Sequence, residues 1–427
     1  MTPTSHSGAE AVAAAPSGQA NLAVGEAHAA ASPAPGRDTV RAGGDASLRF
    51  ARIDQVRGFA AVIVVLCHLS VSAYVGAPNV GEPFLPWLGF VLGFGYLGVP
   101  LFFVVSGFCI HWPDARARHE GRLAPPDWRA FFRRRFWRLY PPYALSVLGA
   151  LVLLLVASGT WPASLGSLLA QLALVHTFHA ATFLGVNPPS WTLAVEAQLY
   201  LAYPVVFVLM RRHGPWRALA TTLVFTMAYR VLITLLTLPD AVSGPAWELF
   251  LARWFEWTVG ALLAEWAAGN VRLPDALGSW WLVLPLVPLV IYVGEYHSWH
   301  YGIWVLREPM YGATFGLLLL AVLRLPRPLR PSRIAVWLAD VGVWSYSLYL
   351  VHRPLQLALE PLARRLAASP FVIAHGIPTS LLLFVATTPL VLEAGRLFYR
   401  WCEEPFLVKA RGIGRAPQPV QGVARPA

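Results

Sequence analysis

Ten apolar stretches, separated by short polar or basic links, constrain this chain more than any other feature. They lie at about 57–76, 91–112, 139–158, 190–210, 218–238, 249–267, 279–294, 309–323, 335–355 and 371–392. Runs of this kind suit helices crossing a bilayer, which need roughly 20 apolar residues each. The composition leaves little room for an apolar soluble core. Of 427 residues 56% are hydrophobic and 13% charged, the latter about half the share usual in soluble chains. The expected fold is all-α: one polytopic integral membrane domain, residues 49–407, of about ten transmembrane helices.

Arginine placement orients the spans. Between 113 and 138 stand Arg116, Arg118, Arg122, Arg129, Arg133, Arg134, Arg135 and Arg138 against three acids, so this loop is expected to be cytoplasmic. Residues 166–188 are short for a crossing and carry Gln171, His176 and His179. If they crossed, Arg211, Arg212 and Arg217 would fall outside, against the charge rule. They read instead as an interfacial or re-entrant piece buried against protein. Arg324, Arg327, Arg330 and Arg333 then fall inside, as do both termini. The net charge of +11 is met by topology and anionic lipid and requires no nucleic acid. The expected location is the cell (plasma or inner) membrane.

The flanks are plainer. Residues 1–48 are rich in Ala, Gly, Pro and Ser, with no aromatic residue before Phe50. They and residues 408–427 are expected to be disordered tails. The stretch Glu295–Glu308 is the longest exterior loop, a polar aromatic patch suited to interface anchoring or acceptor contact. Cys67, Cys109 and Cys402 share no metal or redox spacing, and no metal site is expected.

Several ionisable groups interrupt the apolar runs. Arg57 and His68, eleven residues apart, would lie about 16 Å apart along a helix and roughly 20° apart around it. A histidine inside a span is a functional candidate because its burial is costly. Its neutral imidazole can take a proton from an attacking hydroxyl; packing between helices is the alternative. Arg57 can bind donor phosphates or simply anchor the span, with Asp54 three residues earlier as its partner. Glu196 can pair with an arginine, receive a proton or orient His68, and Ser190 can cap the helix that follows Pro188 and Pro189. Arg253 and Glu256 are expected to form an internal pair. His352 can contact an acceptor or serve structure. No P-loop, GxSxG, HExxH or Cys-rich spacing is present.

Taken in order, these residues resemble the membrane-bound acyltransferase 3 family. Its members O-acylate surface polysaccharides, lipopolysaccharide, peptidoglycan, Nod factors and macrolides. The matching stretches are Asp54-Gln-Val-Arg-Gly58 leading to His68, Phe103-Val-Val-Ser-Gly-Phe108, Arg133-Arg-Arg-Phe-Trp-Arg-Leu-Tyr-Pro-Pro142, Ser190-Trp-Thr-Leu-Ala-Val-Glu-Ala-Gln-Leu-Tyr200, Ser345-Tyr-Ser-Leu-Tyr-Leu-Val-His352 and Glu404-Pro-Phe406. Ala197 stands where many members carry a second acid.

The resemblance implies a membrane-bound O-acyltransferase, with His68 as catalytic histidine, Arg57 its companion and Glu196 tuning the site. Arg57, Arg133, Arg134, Arg135 and Arg138 would hold the donor; Asp54, Ser106, Trp191 and His352 would support the site. The donor would be acyl-CoA, acetyl-CoA first, used as co-substrate with no tightly bound cofactor. The acceptor would be a hydroxyl of a carbohydrate, glycolipid or macrolide-type molecule, and the chain would be the stand-alone form of the family. The competing expectation is a transporter or flippase for a glycolipid or acyl-bearing substrate.

Overall fold

The computed structural model describes residues 37–75, 91–237, 244–296, 301–326, 328, 330–374 and 379–413. Tail residues 1–36 and 414–427, Arg327 and loop residues 297–300 fall outside that set. Among the described residues there are helices and turns and no strand.

Fourteen α-helices follow in order among the described residues. They are α1 (Arg37–Val75), α2 (Gly98–His119), α3 (Trp128–Ser158), α4 (Leu165–Leu172), α5 (Trp191–His213), α6 (Pro215–Thr237), α7 (Phe250–Ala268), α8 (Trp280–Tyr296), α9 (Tyr301–Arg324), α10 (Arg333–Val343), α11 (Ser345–Ala367), α12 (Pro370–Ala374), α13 (Thr379–Phe398) and α14 (Glu404–Gly412). Local chemistry sets several ends. The Asp127 carboxylate accepts from Ala130 N at 3.0 Å, Ser164 Oγ from Ser167 N at 3.1 Å, and Ser332 Oγ from Ala335 N at 3.1 Å, each satisfying an otherwise unpaired first-turn donor. α3 and α7 stop at Gly159 and Gly269, both left-handed, a conformation glycine adopts without a Cβ penalty.

Every apolar stretch read from the sequence contains helix. Five helices are long and apolar enough to cross a bilayer among the described residues: Val91–His119, Trp128–Ser158, Pro188–His213, Pro215–Thr237 and Trp304–Arg324. The total is six if the bent pair Arg333–Val343 and Ser345–Leu362 forms one span. The ten expected spans are therefore not all matched by length and composition. α7 carries Arg253, Glu256 and Glu265, and α8 is only 17 residues long. Large apolar side chains lie exposed on α3, α6 and α8, among them Val156, Leu236 and Trp281, as lipid-facing surfaces require.

Two features depart from the sequence reading. The stretch 335–355 is not one straight span, because α10 and α11 meet at Trp344 with a 78° bend. There Ser345 Oγ donates to Gly342 O at 2.8 Å, a local bond that competes with helix continuation. The stretch Glu295–Glu308 is not a long loop either, since α9 begins at Tyr301 and buries Glu308. Ion pairs from Arg307 and Glu308 to neighbouring helices hold this part of α9 in the bundle. In addition, α1 starts at Arg37 and α14 runs to Gly412, both inside stretches expected to be tails.

Two close helix crossings organise the core. A Cβ on Gly107 would meet Trp257 O at 1.8 Å, and one on Gly260 would meet Val104 O at 1.8 Å. Glycine thus lets α2 and α7 touch backbone to backbone. Around them Tyr203, Phe131, Phe103 and Trp257 pack on one side, and Ile53, Leu101, Phe108 and Tyr311 on the other. Between α1 and α10, Gly342 approaches the Asp54 carbonyl so closely that a Cβ would sit 1.9 Å from it. This contact fixes α1 against the bend, and with it the position of Arg57.

Candidate active site

A cavity of about 110 Å³, partly open to solvent, lies between α1, α2, α3, α5 and α11. One end carries three cationic side chains: Arg57 from α1, and Arg135 and Arg138 from the first turns of α3. Residues 135 and 138 are one turn apart and share a helix face. Arg57 is also 3.6 Å from Asp54. Burial pushes the Asp54 carboxyl above its ordinary range, against the opposing pull of Arg57 and Arg138.

Glu196 projects into the same cavity one turn above Tyr200 on α5. Its Oε1 accepts from Ser106 Oγ at 3.1 Å and from the Tyr200 hydroxyl. Trp257 Nε1 donates to Ser106 Oγ at 3.3 Å, so the serine's own proton is directed to the carboxylate. Arg135 stands over the Tyr200 ring at 5.6 Å, and its Nε is buried without a partner. An under-satisfied guanidinium suits an anionic guest.

His68 does not line this cavity. It lies behind a file of rings: Phe102 and Tyr349, both cavity walls, sit 6.1 Å apart, Tyr349 is 5.4 Å from His352, and His352 is 5.0 Å from His68. Arg57 and His68 are thus on one helix, and of the two only Arg57 lines the cavity.

The remaining candidates separate as follows. Ser106 lines the cavity, whereas Arg133 and Arg134 do not; Arg134 donates to Ile413 O at 3.4 Å. Asp54 stands behind Arg57, and Trp191 lies 5.9 Å under the Arg253 guanidinium. Glu196 makes its described hydrogen bonds to Ser106 and Tyr200 rather than to His68. Ser190 occupies the residue before α5 but does not cap it. Its hydroxyl is taken by Gln171 Nε2 at 3.2 Å. Gln171, with Tyr143 OH donating to its carbonyl at 2.7 Å, holds the broken 166–188 piece against the bundle.

Three contributors to the site carried no assigned role in the sequence: Tyr200, Tyr349 and Glu403. The aromatic positions had a signal in their spacing, one turn from Glu196 and from His352. Glu403 had none, because Glu404 beside it looks equally exposed. It sits in a π-helical turn, Tyr399–Glu403, and is 2% exposed, a kind of bulge common at functional sites. Ser347 donates to it at 2.5 Å. Burial pushes its carboxyl up, while the Ser347 hydrogen bond and the Arg138 and Arg57 charges pull the other way.

Two other charged groups form ion pairs within the fold. His111, Asp114 and Glu265 bring ligand atoms within 4.8 Å of one another. Arg211 pairs with Asp114, and Arg118, Asn270 and His111 all engage Glu265. The expected Arg253–Glu256 pair forms at 3.1 Å, as part of a larger buried network. Arg253 also pairs with Glu248 at 2.5 Å and Glu308 at 3.5 Å; Arg230 pairs with Glu308; Arg307 pairs with Glu295 at 2.9 Å and Glu308 at 3.7 Å.

Comparison with known proteins bears on what this site is. A family model described as an acyltransferase domain matches residues 50–393. The acyltransferase MdmB of Streptomyces mycarofaciens is 25% identical over 402 residues, covering 87% of this chain and 96% of its own length. The O-acetyltransferase OatA of Staphylococcus aureus is 22% identical over 389 residues, covering 84% of this chain and 57% of its own. The putative peptidoglycan O-acetyltransferase YrhL of Bacillus subtilis is 25% identical over 388 residues, 83% of this chain and 54% of its own. The chain thus spans little more than half of the last two relatives. No solved structure matches it.

Proposed function

The chain belongs to the acyltransferase domain family and is a membrane O-acyltransferase, and from that premise we propose that it moves an acetyl group from coenzyme A to a hydroxyl of a carbohydrate or glycosylated acceptor at the plasma membrane. The observation that carries this reading is the cavity that joins Arg57, Arg135 and Arg138 to the tethered Glu196. Three guanidinium groups at one end suit the phosphates of a nucleotide-bearing thioester, since arginine binds phosphate through paired, charge-assisted hydrogen bonds. In the topology expected from the arginine distribution, that end faces the cytoplasm, which supplies acyl-CoA.

In the proposed reaction the acceptor approaches from the His68 side. The His68 Nε2 lone pair removes the hydroxyl proton, and the oxygen attacks the thioester carbonyl. The C–S bond breaks, an ester forms, and the thiolate takes the proton back from His68 to leave as free thiol. Ser106 and Tyr200 hold Glu196 fixed beside the thioester, where it sets the local field and orients the donor. Identity with OatA and YrhL supports a hydroxyl acceptor, and the family membership gives no support to the transport alternative.

The test combines two assays. Envelope glycans and secreted metabolites of a deletion strain and its complement are compared by mass spectrometry, and acyl transfer from acetyl-CoA is followed in membranes carrying the protein. Loss of one acetyl mass on deletion, restored by the wild type, is expected. An unchanged profile together with no turnover in membranes contradicts the reading.

A further inference from the structure

The cavity has two chemically different ends. Its lining on α2 runs from Ile110 and Cys109 past Ser106 to Phe102 and Val99, which is about 16 Å of helix. The guanidinium charges of Arg57, Arg138 and Arg135 all reach Cys109, so the cationic end lies at Ile110. The wall of the opposite end is Val99, Phe102, Phe103, Thr192, Leu193 and Tyr349, with no charged side chain among them. Ser106 and Glu196 stand between the two ends. A donor held lengthwise, with its phosphates on the arginines, has its slender thioester arm along this axis and its acyl group in the apolar end.

Three aromatic rings close that end, and they are held differently. Tyr349 is clamped: Thr192 Oγ1 donates to its hydroxyl at 3.0 Å, and the hydroxyl donates to Pro189 O at 3.1 Å. Phe103 is buried, with the Arg253 guanidinium 5.9 Å over its ring. Phe102 is half-buried and meets the Tyr349 ring edge to face at 6.1 Å. Elsewhere its ring packs against the apolar cluster that includes Ala61, Val65 and Leu348. The space behind Phe102 is therefore apolar, and the ring itself sets how deep the cavity goes. This is also the end nearest the catalytic histidine, since Tyr349 lies against His352 and His352 against His68.

We propose that Phe102 sets the length of the acyl group this enzyme accepts: the acyl tail lies against its ring, so that a short group fits in front of it and a longer chain is stopped. The inference rests on the reading of the site as a coenzyme A-dependent O-acyltransferase. An apolar wall can supply such discrimination, because one methylene in a hydrophobic pocket changes kcat/KM by about 10–200-fold. Tyr349 and Phe103 form the fixed sides of the pocket, and Phe102 its floor.

The test measures kcat/KM for acetyl-, butyryl- and hexanoyl-CoA on the full chain in lipid. Wild type is compared with Phe102→Ala and with Phe102→Leu, the milder change should the first disturb folding. Wild type is expected to use hexanoyl-CoA at least about tenfold less well than acetyl-CoA. Phe102→Ala is expected to raise the hexanoyl-to-acetyl ratio about tenfold or more, and Phe102→Leu to raise it less. Ile110→Ala loosens the cationic end instead and is expected to leave the ratio as in wild type. A purely structural role for Phe102 would lower activity with all three donors together and leave the ratio alone. An unaltered ratio in both Phe102 variants, the same rise in Ile110→Ala, or a wild type that uses hexanoyl-CoA as well as acetyl-CoA would each overturn the proposal and leave the functional reading standing. No turnover with any of the three thioesters strikes the functional reading itself, and this inference with it.

Discussion

Glu196 is held before any substrate arrives, because Ser106 and Tyr200 both donate to the same oxygen. Replacing it with Gln keeps the volume and removes the charge. Glu196→Gln is expected to lower kcat by about 10²-fold with unchanged protein level in membranes, as read by acyl-transfer rate and immunoblot. Glu403 supplies a pH test. Its folded carboxyl is pushed up by burial, so between the unfolded and folded values the folded state binds more protons and stability falls as pH rises. Glu403→Gln is therefore expected to raise the thermal midpoint more at pH 8 than at pH 5. At this scale the sequence exposed part of the site. Arg57, Arg135, Arg138 and Glu196 stand out because charge inside an apolar run is conspicuous. Tyr349 and Glu403 do not, since their partners Thr192, Pro189 and Ser347 are distant in sequence.

The helices were legible and their junctions were not. Apolar run lengths place helix in every expected span, but nothing in Gly342-Val-Trp-Ser345 announces a 78° bend. The bend depends on α1 lying against Gly342, a contact between residues almost three hundred positions apart. Gly342→Ala is expected to cost roughly 1–3 kcal/mol of stability, as overpacking does, and to weaken donor binding because Arg57 sits one turn from Asp54. Thermal midpoint and donor KM, measured on one preparation in lipid, check both halves. The broken 166–188 piece was anticipated from charge placement. What holds it was not, because Gln171 looks like any polar residue until its side-chain contacts with Val186, Asn187 and Ser190 are seen.

Across the molecule, charge is gathered in three regions with different work to do. The arginine-lined cavity end is open to a ligand. The His111–Glu265 group and the Arg230–Arg253–Arg307 network pair with acids of the fold itself. The last ties α6, α7, α8 and α9 together, so removing one member should loosen the bundle and leave donor recognition intact. Arg230→Ala is expected to cost roughly 1–3 kcal/mol by removing one of the three arginine partners of Glu308, with donor KM changed little, as judged by denaturation and kinetics in lipid. The central claim is that the donor is held by Arg57 and the proton is taken by His68. Its most direct test is the steady-state kinetics of acetyl transfer by wild type, Arg57→Ala and His68→Ala in lipid. The account predicts that Arg57→Ala raises donor KM about tenfold or more and that His68→Ala lowers kcat by about 10²–10⁴-fold. Full activity with unchanged donor KM in both variants would contradict it.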